Sequence, residues 1–209
     1  MSALTLLLAT RNRHKIAELA RILDGLGVAL RSGLDHDLPE VEETGATFAD
    51  NALLKAHAAH GATGLAAVAD DSGLEVDALE GAPGVRSARY AGGHGDDEAN
   101  LRLVLERMRG VEERTARFRC AAALVAPEGA WVREATMEGV LTEAPRGTGG
   151  FGYDPILVPT GELAQPRPRT SAELSPEEKD AISHRGEAFR ALRPLVAALA
   201  SGRTPEAPR

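Results

Sequence analysis

Two long runs of β-type residues, 115–126 and 131–142, are separated by only four residues with Pro-Glu-Gly among them. A gap that short closes a hairpin, so the two runs pair with each other. The first third of the chain has a different order. "LTLLLA" at 4–9 has the length of a strand. A helical pattern follows, with Ile16, Leu19, Ile22, Leu23 and Leu26 on one face, Glu18, Arg21 and Asp24 turned away, and Gly25 and Gly27 as stops. "VALR" at 28–31 reads as a second strand, "LPEVEETG" at 38–45 as a polar loop, and 47–60 as an Ala-rich helix stopped by Gly61. "LAAVA" at 65–69 is a buried strand, and Leu74 and Val76 begin another short extended piece. Strands alternating with helices, then a hairpin, require an α/β fold with a mixed sheet.

The second half adds helices. Residues 96–108 carry Leu101, Val104, Leu105 and Met108 inward, and "PILVP" at 155–159 is a strand. "TGELAQPRPRT" at 160–170 reads as an exposed, mobile excursion. Ser175-Pro176-Glu177-Glu178 is a helix start, with a Ser cap, Pro at the first position and Glu three after the cap. A break at 183–186 precedes a last helix with Phe189, Leu192, Val196 and Leu199, which Pro194 is expected to kink. No internal repeat or linker is visible. The expectation is one domain over 1–201 and a disordered tail over 202–209.

Aromatics are only 3% of the chain, so the core rests on Leu, Val and Ala, and Phe151 and Tyr153 stand out. Cys120 is the single cysteine, so no intrachain disulfide forms. No apolar run is long enough to span a bilayer, and the start "MSALTLLLATRNRHK" lacks the basic region of a signal peptide. The simplest reading is a soluble cytoplasmic protein. A net charge of −7 disfavours nucleic-acid polymers but leaves room for a small phosphorylated ligand.

Six segments could carry chemistry. "ATRNRHK" lies between a strand and a helix, where backbone N–H groups favour anions. Thr10 and Asn12 can donate, and Arg11, Arg13 and Lys15 supply charge. A solvated cap is the alternative. "EVEETG" holds three glutamates, which are solvated surface or a contribution to a magnesium site. Asn51 and Lys55 share a helix face. In "AAVADDSGLEV", Asp70 and Asp71 end a buried strand, at the edge where α/β sheets gather ligands. Neighbours on a strand point to opposite faces, so one aspartate faces the site while the other holds the loop. The alternative is an Asx turn before Ser72-Gly73. "GTGGFGYDP" matches G-x-G-x-x-G at Gly147, Gly149 and Gly152, but it leads into a strand rather than a helix. It is not a dinucleotide fingerprint. Its glycines permit close backbone approach, with Phe151 as a stacking surface. "EEKDAISHRG" places Lys179, His184 and Arg185 around a helix break. The chain contains no Walker A sequence, no H-E-x-x-H and no G-x-S-x-G.

"LLLATRNRHK", "EETGATFADNALLKA", "ADDSGLEVDAL", "GTGGFGYDP" and "ELSPEEKDAISHRG", in this order, closely resemble the family of noncanonical purine nucleoside triphosphate pyrophosphatases, the Ham1 or inosine triphosphatase family. The resemblance runs over nearly the whole chain. It implies an elongated α/β fold with a mixed sheet and a cleft between two lobes. It also implies a homodimer, and magnesium-dependent hydrolysis of XTP, ITP and dITP to monophosphate and pyrophosphate.

Carried over by position, the resemblance assigns Thr10, Arg11, Asn12, Arg13, His14 and Lys15 to the triphosphate. It assigns Glu42 and Asp71 to magnesium, with Asp71 also the proton acceptor, and Ser72 to the ligand. Phe151, Gly152, Tyr153 and Asp154 would form the base pocket with Lys179, His184 and Arg185, and Lys55 would face phosphate. Arg11 stands where many members have glycine, and 161–170 is longer and richer in proline than usual. Two other readings are a pyrophosphatase of pyrimidine nucleotides and a nucleotide-binding regulator without catalysis. "FGYD" with "SHR" argues against the first. The combination of Glu42, Asp71 and Lys15 argues against the second.

Overall fold

Alternation along the first strand organises the fold. In the computed structural model, described over residues 3–93 and 95–205, β1 (Thr5–Leu8) sends Leu6 and Leu8 to one face and Leu7 to the other. Leu6 and Leu8 pack with Leu19 and Leu23, from α1 (Arg13–Ile22) and its end, and with Phe189 and Leu192 of α5 (His184–Ala200). Leu7 packs with Ala59 of α2 (Phe48–Thr63) and with Ala67. The sheet is therefore covered by α1 and α5 on one face and by α2 on the other. β2 (Ala29–Ser32) and β3 (Ala66–Val76) both run parallel to β1, with Leu6 opposite Leu30 and Ala66.

The full sheet has six strands in the order β2-β1-β3-β4-β5-β6, with β4 at Thr115–Ala126, β5 at Gly129–Leu141 and β6 at Leu157–Pro159. β4 and β5 are neighbours joined by Pro127 and Glu128 alone, which is the expected hairpin with a tighter turn. β6 pairs antiparallel with β5. The mixed α/β sheet read from the sequence is present.

Two compact units divide the chain. One comprises 1–71, 120–135 and 185–209; the other comprises 72–119 and 136–184. The second has its own core of Leu74, Val76, Leu101, Val104, Met108, Phe118, Met137 and Ile156. It also holds α3 (Asp97–Arg107) and α4 (Pro176–Ile182). Among the described residues no helix is long and apolar enough to cross a membrane.

Several boundaries differ from the sequence reading. Gly61 does not stop α2, which runs to Thr63 and ends on Gly64 in the left-handed conformation at φ 70°. The break before the last helix shrinks to Ser183, and α5 contains Pro194 without interruption in the helix. Glu18 is buried, because its carboxylate finds an arginine inside the first unit. The excursion at 160–170 is tied down. Arg169 donates to Glu162 and Glu178, and Arg146 to the Pro168 carbonyl. Of the expected tail, 206–209 lie outside the described residues, and 203–205 form neither helix nor strand.

The largest correction concerns "DDSG". It is not a turn: β3 continues through it from Ala66 to Val76. Gly73 is there for proximity rather than bending. A Cβ on it would lie 2.5 Å from the Gly84 carbonyl oxygen and closer still to the Ser87 hydroxyl. That hydroxyl accepts the Leu74 N–H and donates to the Gly84 carbonyl, so it cannot withdraw without leaving both unpaired. Gly73→Ala is expected to destabilise the protein by about 1–3 kcal/mol, the usual cost of overpacking. Urea denaturation measures it.

Candidate active site

Adjacent carboxylates on β3 point to opposite faces of the sheet. Asp70 shares the parity of Ala66 and Val68 and faces α1 and α5; Asp71 shares that of Ala67 and faces α2. Each meets cations on its own side. Asp70 Oδ2 accepts from Lys15 Nζ at 2.9 Å and from Arg185 Nε at 3.1 Å. Arg185 Nη1 donates to Glu18 Oε2 at 2.9 Å, completing a buried alternating chain of charge. Burial works against ionised Asp70, but Lys15, Arg185 and Lys55 override it and hold its carboxyl far below the usual carboxylate range. Burial likewise opposes the Arg185 charge, and Asp70 and Glu18 more than offset it.

On the other face, Lys55 Nζ stands 2.9 Å from both Asp71 Oδ1 and Glu43 Oε1. Asn51 Nδ2 donates to Asp71 Oδ2 at 3.2 Å. Asn51 and Lys55 are one helical turn apart, so one edge of α2 grips both carboxylate oxygens. Burial raises the Asp71 pKa against the pull of Lys55. Burial disfavours the Lys55 ammonium, but Asp71, Asp70 and Glu43 keep it charged.

The turn from β1 into α1 departs from the simple anion cradle. Asn12 is the N-cap, and its Oδ1 accepts from the His14 and Lys15 N–H groups at 2.9 and 3.2 Å. Thr10 Oγ1 accepts from Asn12 N. Arg11 turns toward the segment after β2, donating to the Gly33 and Leu38 carbonyls. Arg13 and His14 are exposed, and Lys15 is half-buried against Asp70. Glu42 is exposed, while Glu43 beside it is drawn to Lys55.

In the second unit, Asp154 organises the glycine-rich turn. Its Oδ2 accepts from the Phe151 N–H at 2.8 Å and from Lys179 Nζ at 2.6 Å. A Cβ at Gly150 would overlap that carboxylate, and φ there is 70°, so glycine is required. Lys179 Nζ also lies 5.0 Å from the centroid of the Phe151 ring, a cation–π contact. The Gly152 N–H donates to Asp97 at the start of α3. Tyr153 is buried, and its hydroxyl donates to the Ser87 carbonyl, which gives it a packing role. His184 is buried with its ring stacked on Phe118, centroids 4.9 Å apart. Ser72 is half-buried on β3.

The first unit thus gathers Lys15, Asp70 and Arg185 on one face and Lys55, Asp71 and Glu43 on the other. The second gathers Phe151, Asp154 and Lys179. Sequence reasoning missed Glu18, Glu43, Asp97 and Phe118. Only Glu43 had a signal, as one of three glutamates in one loop. Arg185, read as a donor to a purine, has its Nε and Nη1 on carboxylates. Asp70, read as a loop support, is an ion-pair centre.

Magnesium takes hard oxygen ligands, commonly one or two carboxylates with phosphates and water completing the set. The Asp71 carboxylate beside the Glu42 loop is that kind of donor. Among the described residues no three His, Cys, Asp or Glu side chains cluster as a self-sufficient metal site. The donors fit a metal shared with a phosphorylated ligand.

The chain matches the Ham1 family over residues 6–195. It is 58% identical to a dITP/XTP pyrophosphatase of Streptomyces coelicolor, an alignment covering 91% of this chain and 96% of that protein. A Mycobacterium bovis protein of the same name is 53% identical, over 94% of this chain and 97% of its own. The solved structure of a HAM1 protein from Coxiella burnetii superposes with a TM-score of 0.82 at 41% identity, covering 92% of this chain and 98% of that one.

Removing Asp154 leaves the Lys179 ammonium buried without its carboxylate. Asp154→Ala is expected to cost about 3–5 kcal/mol of stability, as for other broken buried pairs. Chemical denaturation followed by circular dichroism checks it.

Proposed function

The chain belongs to the Ham1 family, and from that premise we propose that it hydrolyses noncanonical purine nucleoside triphosphates, XTP, ITP and dITP, to the monophosphate and pyrophosphate. The observation that carries this reading is the Asp71 carboxylate, held at both oxygens by Lys55 and Asn51 on a strand whose previous residue anchors Lys15. An acid fixed beside a lysine suits a polyanionic substrate and a water that must lose a proton.

Lys15 and Lys55 stabilise charge on the phosphate chain. The backbone at Thr10, Asn12 and His14 lies alongside it, and Ser72 contacts the ligand. Asp71 orients the attacking water and receives its proton. The water oxygen bonds to the α-phosphorus, the bond from that phosphorus to the bridging oxygen breaks, and pyrophosphate leaves with the electron pair. Glu42 and Asp71 are the residues assigned to magnesium. When bound, magnesium neutralises phosphate charge and lowers the pKa of coordinated water.

Phe151 offers its face to the purine, and the turn held by Asp154 and Lys179 keeps that face in place. The donor to the purine 6-carbonyl is His184 or Arg185. Arg185 takes second place there, because Asp70 and Glu18 already engage it. A pocket that hydrogen-bonds a carbonyl rejects the amine of adenine by up to roughly 10⁴–10⁵. The role of clearing deaminated purines from the nucleotide pool, a homodimeric state and a cytoplasmic location complete the proposal.

A product-resolved substrate panel with and without magnesium tests it. dITP and XTP are expected to yield pyrophosphate only with the metal, with ATP and GTP far poorer. Orthophosphate as the first product would refute the reaction.

A further inference from the structure

Asn51 belongs to no group of ligand-binding residues in the reading above, yet it is the best-buried polar side chain beside Asp71, with 0% exposure. Its amide is used at both ends. Oδ1 accepts from the Gly45 N–H at 2.7 Å, and Nδ2 donates to Asp71 Oδ2 at 3.2 Å. A backbone N–H can only donate, so the Gly45 contact fixes which end of the amide is oxygen and leaves the NH₂ for Asp71. The loop approaches closely enough to exclude a side chain. A Cβ on Gly45 would lie 2.6 Å from Asn51 Oδ1 and 2.9 Å from the Asn51 backbone nitrogen.

The support beneath this amide is stiff. Asn51 sits in the first turn of α2, whose start is locked by the reciprocal cap between Thr47 and Asp50. One turn on, Lys55 repeats the pattern with charge, touching Asp71 Oδ1 and Glu43. The same helix edge therefore ties both the strand and the 40–45 loop, each at two points. The final torsion of an aspartate is broad, so a carboxylate held at one oxygen swivels. Held at both, it does not.

We propose that Asn51 is a positioning residue. Its amide fixes the Asp71 carboxylate and registers the loop bearing Glu42 and Glu43 against it. The activity arm of this inference rests on the pyrophosphatase reading; the loop arm does not.

Asn51→Ala removes both ties. Asn51→Asp keeps an oxygen for Gly45 but loses the donor to Asp71. Both are expected to lower kcat on dITP by about 10²-fold, the scale of a displaced reacting group. KM should stay within about threefold, since the loss falls on the chemical step. Hydrogen–deuterium exchange over 40–46, measured without nucleotide, should quicken in Asn51→Ala and stay near wild type in Asn51→Asp. A kcat within about threefold of wild type in both folded variants, or a loss confined to KM, would overturn the positioning of Asp71. Unchanged loop exchange in Asn51→Ala would overturn the loop tie. Should the Asn51 variants fail to fold, Gly45→Ala presses on the same contact from the loop. It is expected to quicken exchange over 40–46 and reduce kcat, and wild-type behaviour in both would overturn the proposal. A wild-type protein inert toward dITP would defeat the pyrophosphatase reading instead, leaving the exchange data to decide the loop tie.

Discussion

Everything at the candidate site depends on one backbone constraint: successive side chains of a strand leave on opposite faces. At Asp70 and Asp71 it separates two carboxylates that would otherwise compete for the same cations. Asp70 is sent toward α1 and α5, into a chain of charge with Lys15, Arg185 and Glu18. Asp71 is sent toward α2, to Lys55 and Asn51. A buried ion-pair network rarely adds much stability, because desolvation offsets the attraction. What it provides here is position: Lys15 is held at the start of α1, and Arg185 at the start of α5.

The same logic recurs in the second unit with one carboxylate. Asp154 Oδ2 collects a backbone N–H and an ammonium, and Gly150 has no side chain because that oxygen needs the space. The turn thereby presents Phe151 under Lys179. Gly150 allows close contact, as Gly45 and Gly73 do.

The pattern of periods made the fold legible: apolar alternation at 4–9, helical spacing at 16–26, and a hairpin gap too short for anything but neighbouring strands. Opposite facing of Asp70 and Asp71 was also legible, since period two applies wherever a strand continues. What misled was local chemistry. Asp-Asp-Ser-Gly has turn composition, yet pairing of the strand and close packing of Gly73 kept it extended. Glu18 falls on the polar side of a helical pattern, and only a distant arginine, 167 residues along the chain, makes its burial tolerable. The proline-rich excursion looks loose, and it is fastened by Arg169 to carboxylates at Glu162 and Glu178. Charge pairing between elements leaves no periodic trace, so the burial of Glu18 and the fastening of the excursion could not be read from the sequence.

Side-by-side measurement of Asp70→Asn and Asp71→Asn tests the division of labour most directly, with turnover of dITP and denaturation midpoint read on the same preparations. Asp71→Asn is expected to nearly abolish turnover while staying folded, and Asp70→Asn to lose stability by about 3–5 kcal/mol, as Lys15 loses its carboxylate and Arg185 keeps only Glu18. Near-normal turnover in a folded Asp71→Asn protein would contradict that division.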